Sequence, residues 1–138
     1  MKRILFFLYI FFLANQVFCQ AIHWNETKNW KLYAVFDHLA LNYSLDSIDR
    51  IRSINLESDS IQNFLGNSKV WPKDKTSMWM SAYLCTYELG GKRMKVTISS
   101  YGGFFYDYYT KQYFQIDDTL INDWLAYLLN KSIELTAQ

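Results

Sequence analysis

Two alternating segments joined by a glycine pair constrain this chain more than any other feature of its sequence. Residues 78–89 and 92–101 alternate between apolar and polar side chains, and Gly90-Gly91 between them has the form of a two-residue hairpin turn. A turn of this length fixes the register, which places charged residues opposite charged or polar ones and apolar residues opposite apolar ones. The predicted pairs are Glu88 with Arg93, Thr86 with Lys95, Tyr87 with Met94, Cys85 with Val96, and Tyr83 with Ile98.

A second glycine pair, Gly102-Gly103, continues this hairpin into two further strands that are separated by a turn near residue 110. A two-residue loop at this pair would place Asp107 on the core face, opposite Ile98. We therefore expect a bulge near Gly103. The bulge would turn three aromatic residues onto the core face, namely Phe104, Tyr106 and Tyr108.

Helical spacing is strongest in residues 30–43, whose apolar positions on one face are Leu32, Val35, Phe36 and Leu39. We predict an N-terminal helix that starts near Thr27 or Lys28 and includes these residues, and a second, short helix from an N-cap at Asp59 to a stop at Gly66. Residues 44–56 suit either a helix or a strand, and residues 67–75 are predicted to be loop. Asp117 is the expected N-cap of a last helix, residues 118–130.

These elements predict the fold class α+β. N-terminal helices precede a four-stranded antiparallel meander sheet, and a C-terminal helix packs on one face of that sheet. The length of residues 20–138 suits a single small domain.

The first nineteen residues have the order of a cleavable signal peptide. A basic start is followed by an uncharged apolar run, residues 4–14, and then by a polar stretch ending at Cys19. Eleven apolar residues are too few to cross a bilayer, which needs about 20 residues of helix, so we expect no stable transmembrane anchor. We predict cleavage before Gln20 and an extracytoplasmic location, periplasmic or secreted. The less favoured alternative is a lipid anchor on Cys19.

Removal of this segment changes the charge and the cysteine count. Of the 14 basic residues, Lys2 and Arg3 would leave, so 13 acidic residues outnumber the 12 that remain. Near-neutrality argues against binding to nucleic acid. Cys85 would be the one remaining cysteine, which excludes an intramolecular disulfide.

The sequence offers no convincing catalytic or metal-binding set of residues. His23 and His38 are far apart, Cys85 points into the predicted hairpin core, and neither glycine pair extends to a phosphate-binding loop. We therefore expect a non-enzymatic protein without a cofactor or a metal. The opposing hypothesis is a hydrolase that uses His38 with an acidic residue.

Aromatic residues are the best candidates for a binding site. If one face of the strands beyond Gly103 is exposed, its rings can contact a partner protein or stack on sugars. The favoured alternative is that Trp71 or Trp79 covers those rings. The candidate binding residues are Trp71, Tyr101, Phe104, Tyr106 and Tyr108.

From these features we expect an exported, non-catalytic interaction protein with a protein partner, such as an inhibitor, an immunity-type protein or an accessory subunit. The alternative is an extracytoplasmic module that binds glycans or peptides through exposed aromatic residues.

Overall fold

The computed structural model describes residues 22–36, 42–72 and 81–138. The predicted signal peptide, Cys19, His38 and Trp79 lie outside these ranges. The described strands are β1 (Lys28–Phe36), β2 (Ser53–Asn55), β3 (Lys69–Trp71), β4 (Ser81–Leu89), β5 (Lys92–Ser99), β6 (Phe104–Asp107) and β7 (Gln112–Gln115). The described α-helices are α1 (Ser58–Leu65) and α2 (Ile121–Ala137).

The fold is mixed α+β, built on an antiparallel sheet of seven described strands in the order β2-β1-β4-β5-β6-β7-β3. Strands β4 to β7 form the predicted meander. The prediction of only four strands was wrong, because β1 and β2 extend one edge and β3 extends the other. These three strands pair with partners distant in sequence, which short-range turn signals do not reveal.

Strand β1 occupies residues for which we predicted a helix. Leu32 packs with the helices on one face, whereas Tyr33 and Val35 pack in a separate cluster on the other. A strand buried on both faces has a nearly continuous apolar sequence, which periodicity alone does not distinguish from a buried helix. The prediction of an N-terminal helix was therefore wrong across the described residues 28–36.

The β4–β5 hairpin has the predicted register. The structure contains all five predicted pairs, from Tyr83 with Ile98 to Glu88 with Arg93. Gly90 and Gly91 have φ angles of 56° and 76°, in the left-handed region that a tight hairpin turn requires of both residues.

Beyond the hairpin, β6 pairs with β5 in a register that neither sequence alternative gave. Phe105 lies opposite Ile98, and Asp107 lies opposite Val96, so both enter the core. The predicted bulge at Gly103 was wrong, because the loop of residues 100–103 absorbs the shift. As a result, three neighbouring aromatic residues lie on the opposite face of the sheet, namely Phe104, Tyr106 and Tyr108.

Asp107 is tolerated in the core because its carboxylate accepts hydrogen bonds from Tyr87 and Thr110. The hydroxyl of Tyr87 donates to Oδ1 at 2.8 Å. The backbone N–H and the hydroxyl of Thr110 donate to Oδ2 at 2.8 and 2.7 Å. Burial raises the pKa of Asp107, and these donors oppose the rise.

Both helices pack on one face of the sheet, the helix side. Trp24, in a short 3₁₀ turn, joins them there and contacts Phe105 and Phe114 with ring centroids 5.6 and 5.5 Å apart. The largest buried residues of this core are Trp30, Leu32, Ile61, Leu65, Tyr87, Ile98, Phe105, Ile116, Trp124 and Leu128.

The helix boundaries depart from the predictions in three places, the start of α1 and both ends of α2. Helix α1 has its N-cap at Glu57 instead of Asp59, although it ends at Gly66 as predicted. Asp117 accepts from the N–H of Thr119 and so caps the 3₁₀ turn that leads into α2. The last helix continues to Ala137 because Leu135 extends its buried stripe.

The ambiguous and loop segments also form structure. Residues 44–56 contain a 3₁₀ turn, Ile48–Arg50, followed by β2, and the segment predicted as loop contains β3. Residues 42–52 cross the sheet face opposite the helices, where Ile48 is completely buried with Tyr33, Val35 and Leu84. No helix within the described ranges is long and apolar enough to cross a membrane.

Candidate functional site

A row of paired residues crosses all seven described strands on the face opposite the helices. From one edge to the other, this row is Ser53, Tyr33, Leu84, Thr97, Tyr106, Tyr113 and Trp71. Tyr33 and Leu84 are buried in the cluster around Ile48, whereas Tyr106, Tyr113 and Trp71 are only half-buried. The sheet face therefore has a covered half and an aromatic half.

We call the second half the aromatic face, formed by Trp71, Phe104, Tyr106, Tyr108 and Tyr113. The Tyr106 ring is central, with its centroid 4.7 Å from that of Tyr113 and 4.8 Å from that of Tyr108. The Trp71 and Phe104 centroids are 5.3 Å apart. The planes of these three pairs meet at 50°, 83° and 59°, so the rings pack against one another edge-on or tilted.

Four of the five predicted binding residues lie together on this face, and Tyr101 does not. Its side chain is 59% exposed in the loop of residues 100–103, where its N–H donates to the Ser99 hydroxyl. Trp71 does contact Phe104, as the alternative of a covering tryptophan required, yet both rings remain partly exposed.

Sequence reasoning missed Tyr113 and Lys95 as members of the site. Tyr113 connects Trp71 to Tyr106 through the pairing of β3 with β7, and β3 had been taken for loop. Lys95 was placed correctly in the hairpin register. Its neighbour Tyr108, directly after β6, was missed because the register between β5 and β6 was not predicted. The N–H of Tyr108 donates to the Lys95 carbonyl at 3.1 Å, which sets the two side chains beside each other.

Two pockets flank the aromatic face. The edge pocket, about 300 Å³, lies between the end of β3 and the β6–β7 hairpin. Its lining residues include Trp71, Pro72, Tyr106, Lys111 and Tyr113.

The second pocket, which we call the lysine pocket, has a volume of about 460 Å³ and lies where residues 43–45 approach the β6–β7 turn. Its described lining residues are Tyr43, Ser44, Leu45, Met94, Lys95, Tyr108 and Tyr109. Both volumes lie in the range of sites for small ligands or for side chains of a partner.

Lys95 is the charged residue of the lysine pocket and is only 7% exposed. Its Nζ donates to the carbonyl oxygen of Tyr43 at 2.6 Å and lies 4.3 Å from the centre of the Tyr108 ring. A cation over a tyrosine face is stabilised by the ring quadrupole. Burial nevertheless lowers the pKa of Lys95, because the charged form has lost water.

Two other residues that could carry chemistry, Cys85 and His23, do not form a reactive site in the described structure. Burial raises the pKa of the Cys85 thiol, and the side chain is fully enclosed in the core. A thiolate nucleophile needs the opposite environment, with a lowered pKa and access to substrate. His23 is exposed on the N-terminal segment, and the described residues contain no cluster of three or more side chains suited to hold a metal ion.

No protein family model matches the chain, and neither a curated protein nor a solved structure matches it.

Proposed function

We propose that this protein is an exported, non-catalytic interaction protein that binds a protein partner across its aromatic face. The observation that carries the proposal is the division of one sheet face into a covered and an aromatic half. Residues 42–52 bury the half of the paired row that contains Tyr33 and Leu84, whereas the half with Trp71, Tyr106 and Tyr113 keeps partly exposed rings. Tyrosine and tryptophan are the residues most enriched at protein interfaces and their energetic centres.

The orientation of the rings favours a protein partner over a glycan. A sugar ring stacks best on an aromatic face that lies open and flat. Here the Tyr106 ring meets Tyr108 at 83° and Tyr113 at 50°, so the face is uneven, with a pocket on each side. An uneven surface with pockets suits the side chains of a protein or peptide segment.

Export rests on the N-terminal sequence, which has the order of a signal peptide. Mass spectrometry of the protein from its own cells provides the test. Release of residues 1–19 leaves Gln20 first, lipidation would leave a modified Cys19 first, and an intact Met1 in a cytosolic fraction would contradict export.

Partner binding is tested by comparing three forms of the chain with an affinity tag after Gln138, each expressed in its own cells. The wild type is compared with Tyr106→Ala, at the centre of the aromatic face, and with Tyr101→Ala, an exposed tyrosine outside it. We expect one protein to be retained in stoichiometric amount by the wild type and Tyr101→Ala. Tyr106→Ala should weaken its affinity by about tenfold or more, the usual effect of losing a central aromatic residue.

Equal retention by all three forms would contradict the assignment of the partner site to the aromatic face. Retention of no protein, together with binding to an immobilised glycan that Tyr106→Ala abolishes, would contradict the protein partner and establish the glycan alternative.

A further inference from the structure

The two pockets of the aromatic face lie on opposite sides of one pair of rings. Tyr106 lines the edge pocket, and Tyr108 lines the lysine pocket. Their ring centroids are 4.8 Å apart and their planes meet at 83°, so the two rings pack edge to face. We call this pair the tyrosine ridge. A segment that occupies both pockets must cross the tyrosine ridge.

The sheet sets the distance between the two pockets. The edge pocket is lined by Gln112 and Tyr113 of β7. The lysine pocket is lined by Met94 and Lys95 of β5. Strand β6 lies between these two strands. Because neighbouring strands are about 4.8 Å apart, two strand spacings place the pockets about 10 Å apart across the sheet.

This spacing matches one turn of a polyproline II helix. That conformation rises about 3.1 Å per residue with three residues per turn, so residues i and i+3 lie on one side, about 9 Å apart. In an extended strand, residues on one side are about 6.6 or 13 Å apart, which fits the two pockets less well. An α-helix reaches about 10 Å only between residues seven apart. A polyproline II segment that crosses the strands therefore presents residues i and i+3 to the two pockets.

The residues that line the pockets also favour proline. The walls of the edge pocket include the partly exposed rings of Trp71, Tyr106 and Tyr113, beside Pro72. The lining of the lysine pocket includes three tyrosines, so both pockets have aromatic walls. Proline-rich segments bind grooves lined with aromatic residues, and their stiff backbone loses little conformational entropy on binding. Each pocket therefore suits a proline ring packed against aromatic rings.

Charge beside the edge pocket adds a preference for an acidic residue. Lys111, in the β6–β7 turn, is exposed and is the charged residue among the described residues that line this pocket. No described residue that lines either pocket is acidic. Asp107, the acidic residue of β6, lies in the core on the other face of the sheet. An acidic residue of an incoming segment is therefore attracted to Lys111 and meets no like charge in the described lining of either pocket.

We propose that the aromatic face binds a proline-rich segment of the protein partner in the polyproline II conformation. Prolines at positions i and i+3 occupy the two pockets on either side of the tyrosine ridge, and an adjacent acidic residue lies beside Lys111. This inference rests on the proposed function and names the segment of the partner that is recognised.

The first experiment measures the binding of short synthetic peptides to the wild-type chain by NMR titration. One set has the forms acetyl-Glu-Pro-x-x-Pro-amide and acetyl-Pro-x-x-Pro-Glu-amide, with both x positions varied, so that both directions across the sheet are tested. In the matched set, alanine replaces both prolines. We expect the tightest proline peptides to bind at least about tenfold more tightly than their alanine counterparts, since proline adds ring contacts and lowers the entropy lost on binding.

The spacing of the two prolines is tested by inserting one residue between them. A Pro-x-x-x-Pro peptide places its second proline on another side of the polyproline II helix. It should therefore bind no better than a peptide in which alanine replaces one proline. Equal binding of the two spacings would overturn the proposed conformation.

Variants of the chain then locate the binding site. Tyr106→Ala removes one ring of the tyrosine ridge and should abolish the preference for proline. Tyr101→Ala, an exposed tyrosine outside the aromatic face, should keep that preference. A dispersed NMR spectrum shows that each variant is folded.

A second pair of variants tests the acidic residue. We expect the wild-type chain to prefer Glu over Gln in the peptide by about two- to fivefold, the usual effect of an exposed ion pair. Lys111→Gln should remove this preference. Lys92→Gln, which changes an exposed lysine outside both pockets, should retain it. Equal binding of the Glu and Gln peptides to the wild-type chain would contradict the contact with Lys111.

Equal binding of the proline peptides and their alanine counterparts, or binding of neither set, would overturn this inference. Either result would leave the capture of a partner by the full chain unaffected, so the two proposals fail separately. A preference for proline that survives in Tyr106→Ala would also overturn the inference, by moving the site away from the tyrosine ridge.

Discussion

At the scale of single residues, Asp107 shows how a charged group is accommodated in an aromatic core. Its carboxylate is enclosed, yet it accepts from Tyr87 across the sheet and from Thr110 within its own turn. The carboxylate therefore connects the β6–β7 turn to the centre of the sheet. It has a structural use, which argues against assigning it a role in acid–base chemistry.

We expect Asp107→Ala to lower the free energy of unfolding by about 3 kcal/mol, because the buried Tyr87 hydroxyl and the Thr110 donors lose their acceptor. Tyr87→Phe removes one of those donors. The double variant should be destabilised by about 1–2 kcal/mol less than the sum of the single variants, since no unsatisfied hydroxyl remains on Tyr87. Urea denaturation measures all three; strict additivity would contradict the interaction.

Gly103 is a second residue whose identity the fold requires. Its φ is 68°, and a Cβ there would lie 2.9 Å from Cγ1 of Ile121. Gly90 also has a positive φ, of 56°, but a Cβ there would meet nothing within 4 Å.

We therefore expect Gly90→Ala to cost about 1–2 kcal/mol through backbone strain alone. Gly103→Ala should cost about 1–3 kcal/mol more, because it also overpacks the contact with α2. Thermal or urea unfolding of the pair tests the difference; equal losses would show that the contact with Ile121 relaxes freely.

At the scale of elements, the sequence predicted strand pairings between residues close together along the chain and missed those between distant residues. Gly90-Gly91 fixes the β4–β5 register locally, so five residue pairs could be predicted from sequence. Strand β3 has three residues and pairs with β7 more than forty residues later, so no local signal marks it. Strand β1 was mistaken for a helix because both its faces are buried.

Helix α2 is attached to the start of α1 by a polar network at Glu57. The Lys131 ammonium donates to this carboxylate at 2.7 Å, and the Tyr127 hydroxyl donates to its other oxygen. These two contacts, together with a backbone hydrogen bond to the same carboxylate, lower the pKa of Glu57 from 4.5 to about 2. Because the folded-state pKa is below the unfolded one, the contribution to stability is complete above pH 4.5 and is lost as the pH falls toward 2.

We expect Glu57→Gln to reduce the free energy of unfolding at pH 7 by about 1 kcal/mol or less, since this carboxylate is more than half exposed. The difference from wild type should shrink as the pH falls from 4.5 to 2. Tyr127→Phe removes one donor to Glu57, so the folded-state pKa of Glu57 should be less depressed. The pH range over which the stability difference shrinks should then be narrower. Urea denaturation across the pH series is the measurement; a difference independent of pH would contradict the network.

At the scale of the whole molecule, the sheet supports two cores of unequal size. The larger lies beneath the helices, and the smaller lies beneath residues 42–52 around Ile48. The aromatic face remains beside the smaller core. Three of its five residues, Phe104, Tyr106 and Tyr108, were predicted from aromatic density, and Trp71 was predicted separately as a binding residue. Their assembly depended on long-range pairing between β3, β7 and β6.

We expect Ile48→Ala to cost about 2–4 kcal/mol, as for a large side chain removed from a full core. The loss should be local. Amide hydrogen exchange should accelerate at Ile51 and Ala34, whose N–H groups bond to Ile48 and Arg52 carbonyls. Protection in α2 should be retained; acceleration in α2 equal to that at Ile51 would show that the two cores unfold together.

The edges of the described sheet determine how another chain can approach it. Its long strands, β1, β4 and β5, lie inside, while the outermost strands, β2 and β3, have three residues each. Pro72, directly after β3, supplies no N–H to extend the ladder. Edges this short are poor templates for strand addition and for amyloid-like growth. In the described sheet, the main chain at the two edges therefore offers little to pair with, and another chain would find most of its contacts among the side chains of the sheet face.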